Sequence, residues 1–355
     1  IAGRAPDLWR YHELLPVGSA AAAVSLGEGM TPLLELGRLG AELGVGGLLM
    51  KDEGLLPTGS FKARGAAVGV SRAAELGAAG VAMPTNGNAG AAWAAYAARA
   101  GLPSLIVMPR DAPQITRSEC VAAGAATYLV DGLIGDAARL VAGALQARPG
   151  YQDVSTLKEP YRLEGKKTIG LEIAEQLGWR VPDVIVCPVG GGVALIGMAK
   201  ALRELRELGW IGPDRPRLVA VQAAGCAPVV RAFAGGADET EPWPQARTIA
   251  FGLTVPAPLG GFLVLRELRA SSGTAVAVTD DELLASQRQA ARAEGSWVCP
   301  EGAACFAAIR RLRADGWLSE SDEVVTVNTG AGLKYPQTMP ARLALIPPDG
   351  SLPAP

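Results

Sequence analysis

Histidine is nearly absent from this chain: His12 is the one copy in 355 residues, and it stands in a polar N-terminal stretch. A Ser-His-Asp or Cys-His relay would have to rest on that single imidazole, which removes whole classes of hydrolase. Cysteine is sparse too. Cys120, Cys187, Cys226, Cys299 and Cys305 form an odd, scattered set without a C-x-x-C pair, which supports neither a disulfide framework nor zinc and fits a reducing compartment. Apolar runs are broken by Gly, Pro or charge well short of a bilayer span, and the opening IAGRAPDLWR lacks an apolar signal core. A soluble, cytoplasmic protein with no membrane partner is the expectation. Net charge is −2, with signs interspersed and no basic stripe alternating with aromatics, so nucleic acid is not an expected partner either. Lysine is the last scarce residue. Among 33 basic residues only Lys51, Lys62, Lys158, Lys166, Lys167, Lys200 and Lys334 carry an amine that can deprotonate and attack a carbonyl.

What the chain does have is a large apolar fraction, 49% against 19% charged, enough for two domains or one large α/β unit. Short β-branched runs alternate with alanine-rich helical stretches, the pattern of parallel strands joined by crossover helices. AGVAMPT, SLIVMP, ATYLVD, DVIVCPV, RLVAVQ and EVVTVNT read as strands. Between them, stretches such as AGAAWAAYAARAG and KKTIGLEIAEQLG carry apolar residues at helical spacing with Gly at or near the end. The fold class is α/β. Residues 235–261, rich in Pro and Gly, read as a long surface excursion, and a Pro-containing end follows Pro347.

Three strand ends run directly into glycine-rich turns: TNGNAG from Thr85, PVGGG from Pro188 and TGAG from Thr329. Ligand clefts of open parallel sheets lie beyond the carboxyl ends of the strands, so the three turns are expected to face one cavity. PVGGG opens a helix whose first amides and positive dipole end suit a phosphate, with neither dinucleotide nor triphosphate spacing. TNGNAG offers amides and a hydroxyl at another helix start, which serve equally as an ordinary N-cap. In PTGSFKARG, Lys62 stands at a third helix start, where positive helix termini would lower its pKa. An imine-forming amine, a cup for one phosphate and a nearby asparagine are what pyridoxal 5′-phosphate requires of a protein.

These motifs, in this order, resemble the pyridoxal-phosphate enzymes of fold type II, and among them the threonine synthases. The likeness runs through SLGEGMTPL, KDEGLLPTGSFKARG, TNGNAG, EPYRLEGKKT, PVGGGVALIG, QAAGCAPVVRAF, CPEGAA and NTGAGLKYP, with the LWRYHELLPV start, the GEGMTPL segment and the GLKYP end favouring threonine synthase over dehydratases. It implies two domains, each with a twisted, mostly parallel sheet flanked by helices: residues 1–63 with 166–355 as the larger cofactor-binding domain, and 64–165 as a smaller mobile one. It implies that Lys62 forms the imine, next to Phe61, and that Asn88 bonds the ring hydroxyl oxygen. Gly190, Gly191 and Gly192 with the amides of Val193 and Ala194 would cup the phosphate, and Thr329 would meet the pyridine nitrogen. Thr85, Asn86 and Ala89 would take the substrate carboxylate; Ser155, Thr156, Lys158 and Arg162 would take the substrate phosphate. Val193 replaces the Thr that relatives commonly carry in GGGTG.

The activity so implied is conversion of O-phospho-L-homoserine and water to L-threonine and phosphate, in a homodimer. A dehydratase-like or cysteate synthase-like reaction, or a binding protein on the same fold, are the other readings. Arg64 is expected in a structural ion pair and Lys166 and Lys167 on a solvated helix start, while Glu301 either faces the cofactor ring or, the favoured reading, serves as an acid at a helix N-terminus. Lys51 either pairs charges near the site or braces it.

Overall fold

The computed structural model describes residues 1–341, 343–348 and 352, so most of the Pro-containing end lies outside it. In chain order the strands are β1 (Leu33–Glu35), β2 (Gly47–Asp52), β3 (Gly80–Pro84), β4 (Ser104–Pro109), β5 (Ala126–Val130), β6 (Tyr151–Asp153), β7 (Val184–Pro188), β8 (Arg217–Ala223), β9 (Thr274–Val278) and β10 (Glu323–Asn328). The helices are α1 (Gly37–Leu43), α2 (Lys62–Glu75), α3 (Asn88–Arg99), α4 (Gln114–Ala122), α5 (Ile134–Gln146), α6 (Tyr161–Gln176), α7 (Val193–Glu207), α8 (Pro228–Ala234), α9 (Gly261–Ala270), α10 (Asp280–Glu294) and α11 (Pro300–Ala314). All six expected strands form. Two sheets result, one ordered β1-β2-β10-β7-β8-β9 and the other β5-β4-β3-β6, parallel throughout except for the β1–β2 pair.

Parallel strands covered by helices on both faces should be apolar along their whole length, and β4 and β7 are buried at every residue. Local signals set the helix ends. Thr279 and Glu282 close a capping box on α10, and Gly295 ends that helix in the left-handed region at φ 66°.

The chain passes between the sheets through α2 and α6, which cross closely. A Cβ on Gly165 would stand 2.1 Å from the Arg64 carbonyl oxygen, so only glycine permits the approach. Beside this crossing lies a buried charge network. Arg64 pairs with Glu53 at 2.5 Å and Glu172 at 2.5 Å, while Lys51 meets Glu172 at 2.7 Å, the Thr31 carbonyl at 2.6 Å and Gln176 at 2.8 Å. Two cations face two carboxylates, all four fully buried. Lys51 therefore braces the fold, and Arg64 is the structural ion-pair partner expected of it.

Two expectations need correction. Lys166 and Lys167 are each only 2% exposed. Helix α6 packs against both α2 and α7, which leaves no solvated flank: Lys166 Nζ donates to the Phe61 carbonyl, and Lys167 Nζ donates to the Leu14 carbonyl at 2.5 Å and pairs with Glu164 and Glu204. Nor is the 235–261 excursion only a surface feature, since Phe251 and Gly252 turn inward onto Tyr335 and Glu301. All five cysteines are buried, as small apolar residues should be. Among the described residues no helix is long and apolar enough to cross a membrane, and no cluster of metal-ligating side chains occurs.

Candidate active site

The carboxyl ends of β2, β7 and β10 are neighbours in one sheet, so the segments that leave them converge. From β2 the chain passes through Thr58 and Gly59, both at positive φ, and reaches Ser60, which bridges to Gly330 beyond β10. The Phe61 amide donates to the Thr329 carbonyl at 3.0 Å, which fixes the start of α2 against the TGAG turn. That contact places Lys62. Its amine lies 4.3 Å from the Phe61 ring centre and makes no hydrogen bond or ion pair among the described residues. Burial, followed by the charge of Arg162, lowers its pKa to about 8 against the opposing pull of Glu301. Relative to 10.5, this raises the neutral fraction near pH 7 by about 300-fold.

The PVGGG turn enters α7 in a cramped setting. A Cβ on Gly190 would stand 2.3 Å from the Gly252 carbonyl oxygen, and Gly192 has φ 80° with Val264 2.3 Å from its Cβ position. Gly191 is different: its nearest neighbour would be Thr156 Cγ2 at 3.7 Å, so this face of the turn is open. Val193 and Ala194 begin α7 and present their backbone amides there.

Across from it, the Thr85 hydroxyl accepts from the amides of Gly87 at 3.1 Å and Gly90 at 3.2 Å, which holds the TNGNAG turn in shape. Asn86 and Ala89 are half-buried on that turn. Asn88 donates to the Tyr335 hydroxyl at 3.3 Å, while its carbonyl oxygen is buried without a partner. Thr329 is buried beside Cys299, whose sulfur is 3.5 Å from the Thr329 hydroxyl.

Arg162 is 6% exposed and heavily tied: it meets Glu159 at 3.2 Å, Thr156 Oγ1 at 3.0 Å and the Val154 carbonyl, with the Trp93 ring 5.2 Å away. Burial lowers its pKa, with Glu159 opposing. Ser155 bonds Asp153. Lys158 stands apart, exposed on an outer surface cavity of about 350 Å³. Lys166 was not among the expected site residues, yet its amine lies 4.4 Å from the Phe61 ring centre, with its pKa pushed well down by burial and then by Lys62.

A family model described as "Pyridoxal-phosphate dependent enzyme" matches residues 24–330. The chain belongs to the pyridoxal-phosphate dependent enzyme family. Relatives include the threonine synthase of Methanosarcina acetivorans, 40% identical over 94% of this chain and 82% of that protein, and the threonine synthase of Methanocaldococcus jannaschii, 37% identical over 93% and 81%. Among solved structures, maize serine racemase superposes with a TM-score of 0.76 at 25% identity, covering 93% of this chain and 94% of that one. A threonine deaminase from T.th. gives 0.70 at 29% identity, covering 85% and 92%. The family's cofactor fits the residues present: an unpaired amine of lowered pKa, an orphaned buried amide oxygen on Asn88, and an open glycine turn at a helix start.

Three residues beside the cleft escaped the sequence reading of the site, Phe251, Gly252 and Tyr335, and they gather on Glu301. Glu301 stands in the first turn of α11, as expected, and also accepts from Tyr335 Oη at 2.9 Å and the Gly252 amide at 2.8 Å. Tyr335 stacks on Phe251 at 4.7 Å. The GLKYP segment was a visible signal for Tyr335; nothing in the excursion's composition pointed to Phe251.

Proposed function

We infer that this protein is a threonine synthase, converting O-phospho-L-homoserine and water into L-threonine and phosphate. The observation that carries the reading is Lys62: an unpaired, enclosed amine of pKa about 8 where three glycine turns meet, in a chain matched over more than nine-tenths of its length by threonine synthases. Pyridoxal 5′-phosphate supplies an electron-withdrawing ring that stabilises negative charge on the substrate carbons. The amides of Gly190 to Ala194 and the α7 dipole would hold its phosphate, and Thr329 and Asn88 would hold the polar atoms of its ring. Lys62, close enough to neutral to accept a proton and basic enough to return it, removes the α proton and serves the β and γ carbons.

Arg162 stabilises the departing phosphate, with Thr156 and Ser155 as hydroxyl partners and the exposed Lys158 drawing the anion in. The turn shaped by Thr85 gives the amides around Asn86 and Ala89 to the substrate carboxylate. Residues 1–63 with 166–355 form the cofactor-binding domain and 64–165 the mobile one, in a cytoplasmic homodimer. The test is phosphate release from O-phosphohomoserine, with serine and threonine as competitors. Arg162→Ala is expected to lower turnover about 100- to 1000-fold while cofactor absorbance stays. Preferred deamination of serine or threonine, with no phosphate released, would overturn the assignment in favour of a dehydratase.

A further inference from the structure

Lys334 follows the TGAG turn beyond β10 and is 6% exposed. Its Nζ donates to the Thr58 carbonyl at 2.8 Å and to both oxygens of Glu119, at 2.8 and 2.7 Å. An ammonium has three donors and no acceptor, so these contacts saturate it. The aliphatic stem runs along Gly59, where a Cβ would stand 3.1 Å from Lys334 Cδ. Burial lowers the Lys334 pKa, and Glu119 opposes that shift.

The groups held by this amine come from two sides of the cleft. Thr58 and Gly59 lead into Lys62, and that turn is stitched to the segment carrying Lys334: the Ala331 amide donates to the Gly59 carbonyl at 2.9 Å, and the Phe61 amide to the Thr329 carbonyl at 3.0 Å. Lys334 is therefore part of the wall that presents Lys62. Glu119 is on α4, three residues after Thr116 and so on the same helix face. Thr116 is buried against the TNGNAG turn, since a Cβ on Gly87 would stand 3.2 Å from its hydroxyl oxygen. The ion pair thus runs from the turn that ends in Lys62 to the helix that backs the opposite turn. The contact from Asn88 to Tyr335 also joins these sides, but it is neutral and longer, at 3.3 Å.

We propose that Glu119 and Lys334 are positioning residues that clasp the TNGNAG turn to the Lys62 turn and so set the span between the site for an amino acid's carboxylate and the lysine that works on its carbons. The proposal rests on the reading of those two turns given under the proposed function. Substrate and transition state both keep the carboxylate on one wall and the reacting carbons at the other. A loosened clasp therefore removes binding that the two share, which raises KM and leaves kcat in place. Lys334 has a second duty that Glu119 lacks, because it alone holds the Thr58 carbonyl ahead of Lys62.

Glu119→Gln tests the clasp, removing the charge while keeping an oxygen for Lys334. In the holoenzyme, assayed by phosphate release from O-phosphohomoserine, KM is expected to rise about 10-fold, inside the roughly 100-fold that an ångström of misplacement can cost, with kcat and the visible absorbance of the cofactor at wild-type values. Lys334→Met should raise KM and also slow capture of pyridoxal phosphate by the apoprotein; adding Glu119→Gln to it should raise KM no further, since the pair is already broken. Glu119→Gln with the wild-type KM overturns the proposal. So does a rise in KM accompanied by loss of kcat and cofactor absorbance, which marks a merely structural role, and so do KM effects that multiply in the double variant. Wild-type holoenzyme that releases no phosphate sinks the threonine synthase reading instead, and the clasp is then decided by the same variants from the spectral change on adding L-serine.

Discussion

Replacing Glu172 by Gln keeps the shape of the side chain and removes one charge from the buried network between β2, α2 and α6. Lys51 and Arg64 then share Glu53 alone, leaving one uncompensated positive charge among groups with no exposure to solvent. Removing one partner of a buried pair costs about 3–5 kcal/mol, because the remaining ion stays desolvated. Urea unfolding at pH 7 is the assay, with the midpoint expected to fall at unchanged slope. The pH dependence follows with a definite sign. Burial alone would raise the Glu172 pKa, but Arg64 and Lys51 hold it below its ordinary value of 4.5, at about 2. Its contribution is therefore present above the unfolded pKa and is lost as pH falls through the folded one. The gap between wild type and Glu172→Gln should narrow between about pH 4.5 and 2. Lys51→Met combined with Glu172→Gln should cost less than the two separately, by about 0.5–3 kcal/mol, because the pair leaves together. A gap under about 1 kcal/mol at pH 7, or strictly additive costs, would refute the view that this network is charge-balanced and dry.

The lowered pKa of Lys62 predicts that apoprotein captures pyridoxal phosphate with a rate constant that rises with pH and levels off above about 8; a rate still climbing past the ordinary lysine value would contradict it. Gly190→Ala drives a methyl group into the Gly252 carbonyl at 2.3 Å, at a cost of about 1–3 kcal/mol, and should weaken cofactor retention measured by dialysis. Gly191→Ala, with nothing closer than 3.7 Å, should leave unfolding within about 0.5 kcal/mol of wild type, and equal effects at the two positions would show the cup is not as drawn.

How much of this was legible beforehand varies by residue. That the Lys62, Asn88 and PVGGG segments follow strand ends could be read because each motif is short and local, and because the ends of parallel strands gather on one side of a sheet. The burial of Lys166 and Lys167 could not. Helical spacing says which residues share a face, but not whether a second helix covers the other flank, and here α7 does. Glu301 looked like an ordinary acid at a helix start, since its partners Gly252 and Tyr335 lie 49 and 34 positions away in the chain.

By itself, then, the sequence determined the α/β class and the cofactor of the family, and singled out Lys62 as the amine to test, because strand patterning, glycine turns and residue chemistry are local properties. Tertiary structure alone decided that Arg64 and Lys51 are neutralised within a sealed network, that Lys62 is left unpaired, and that Glu301 receives both the Gly252 amide and the Tyr335 hydroxyl. Each of those depends on which charge lies beside which in a space without water, where a single neighbour outweighs the intrinsic preference of the group.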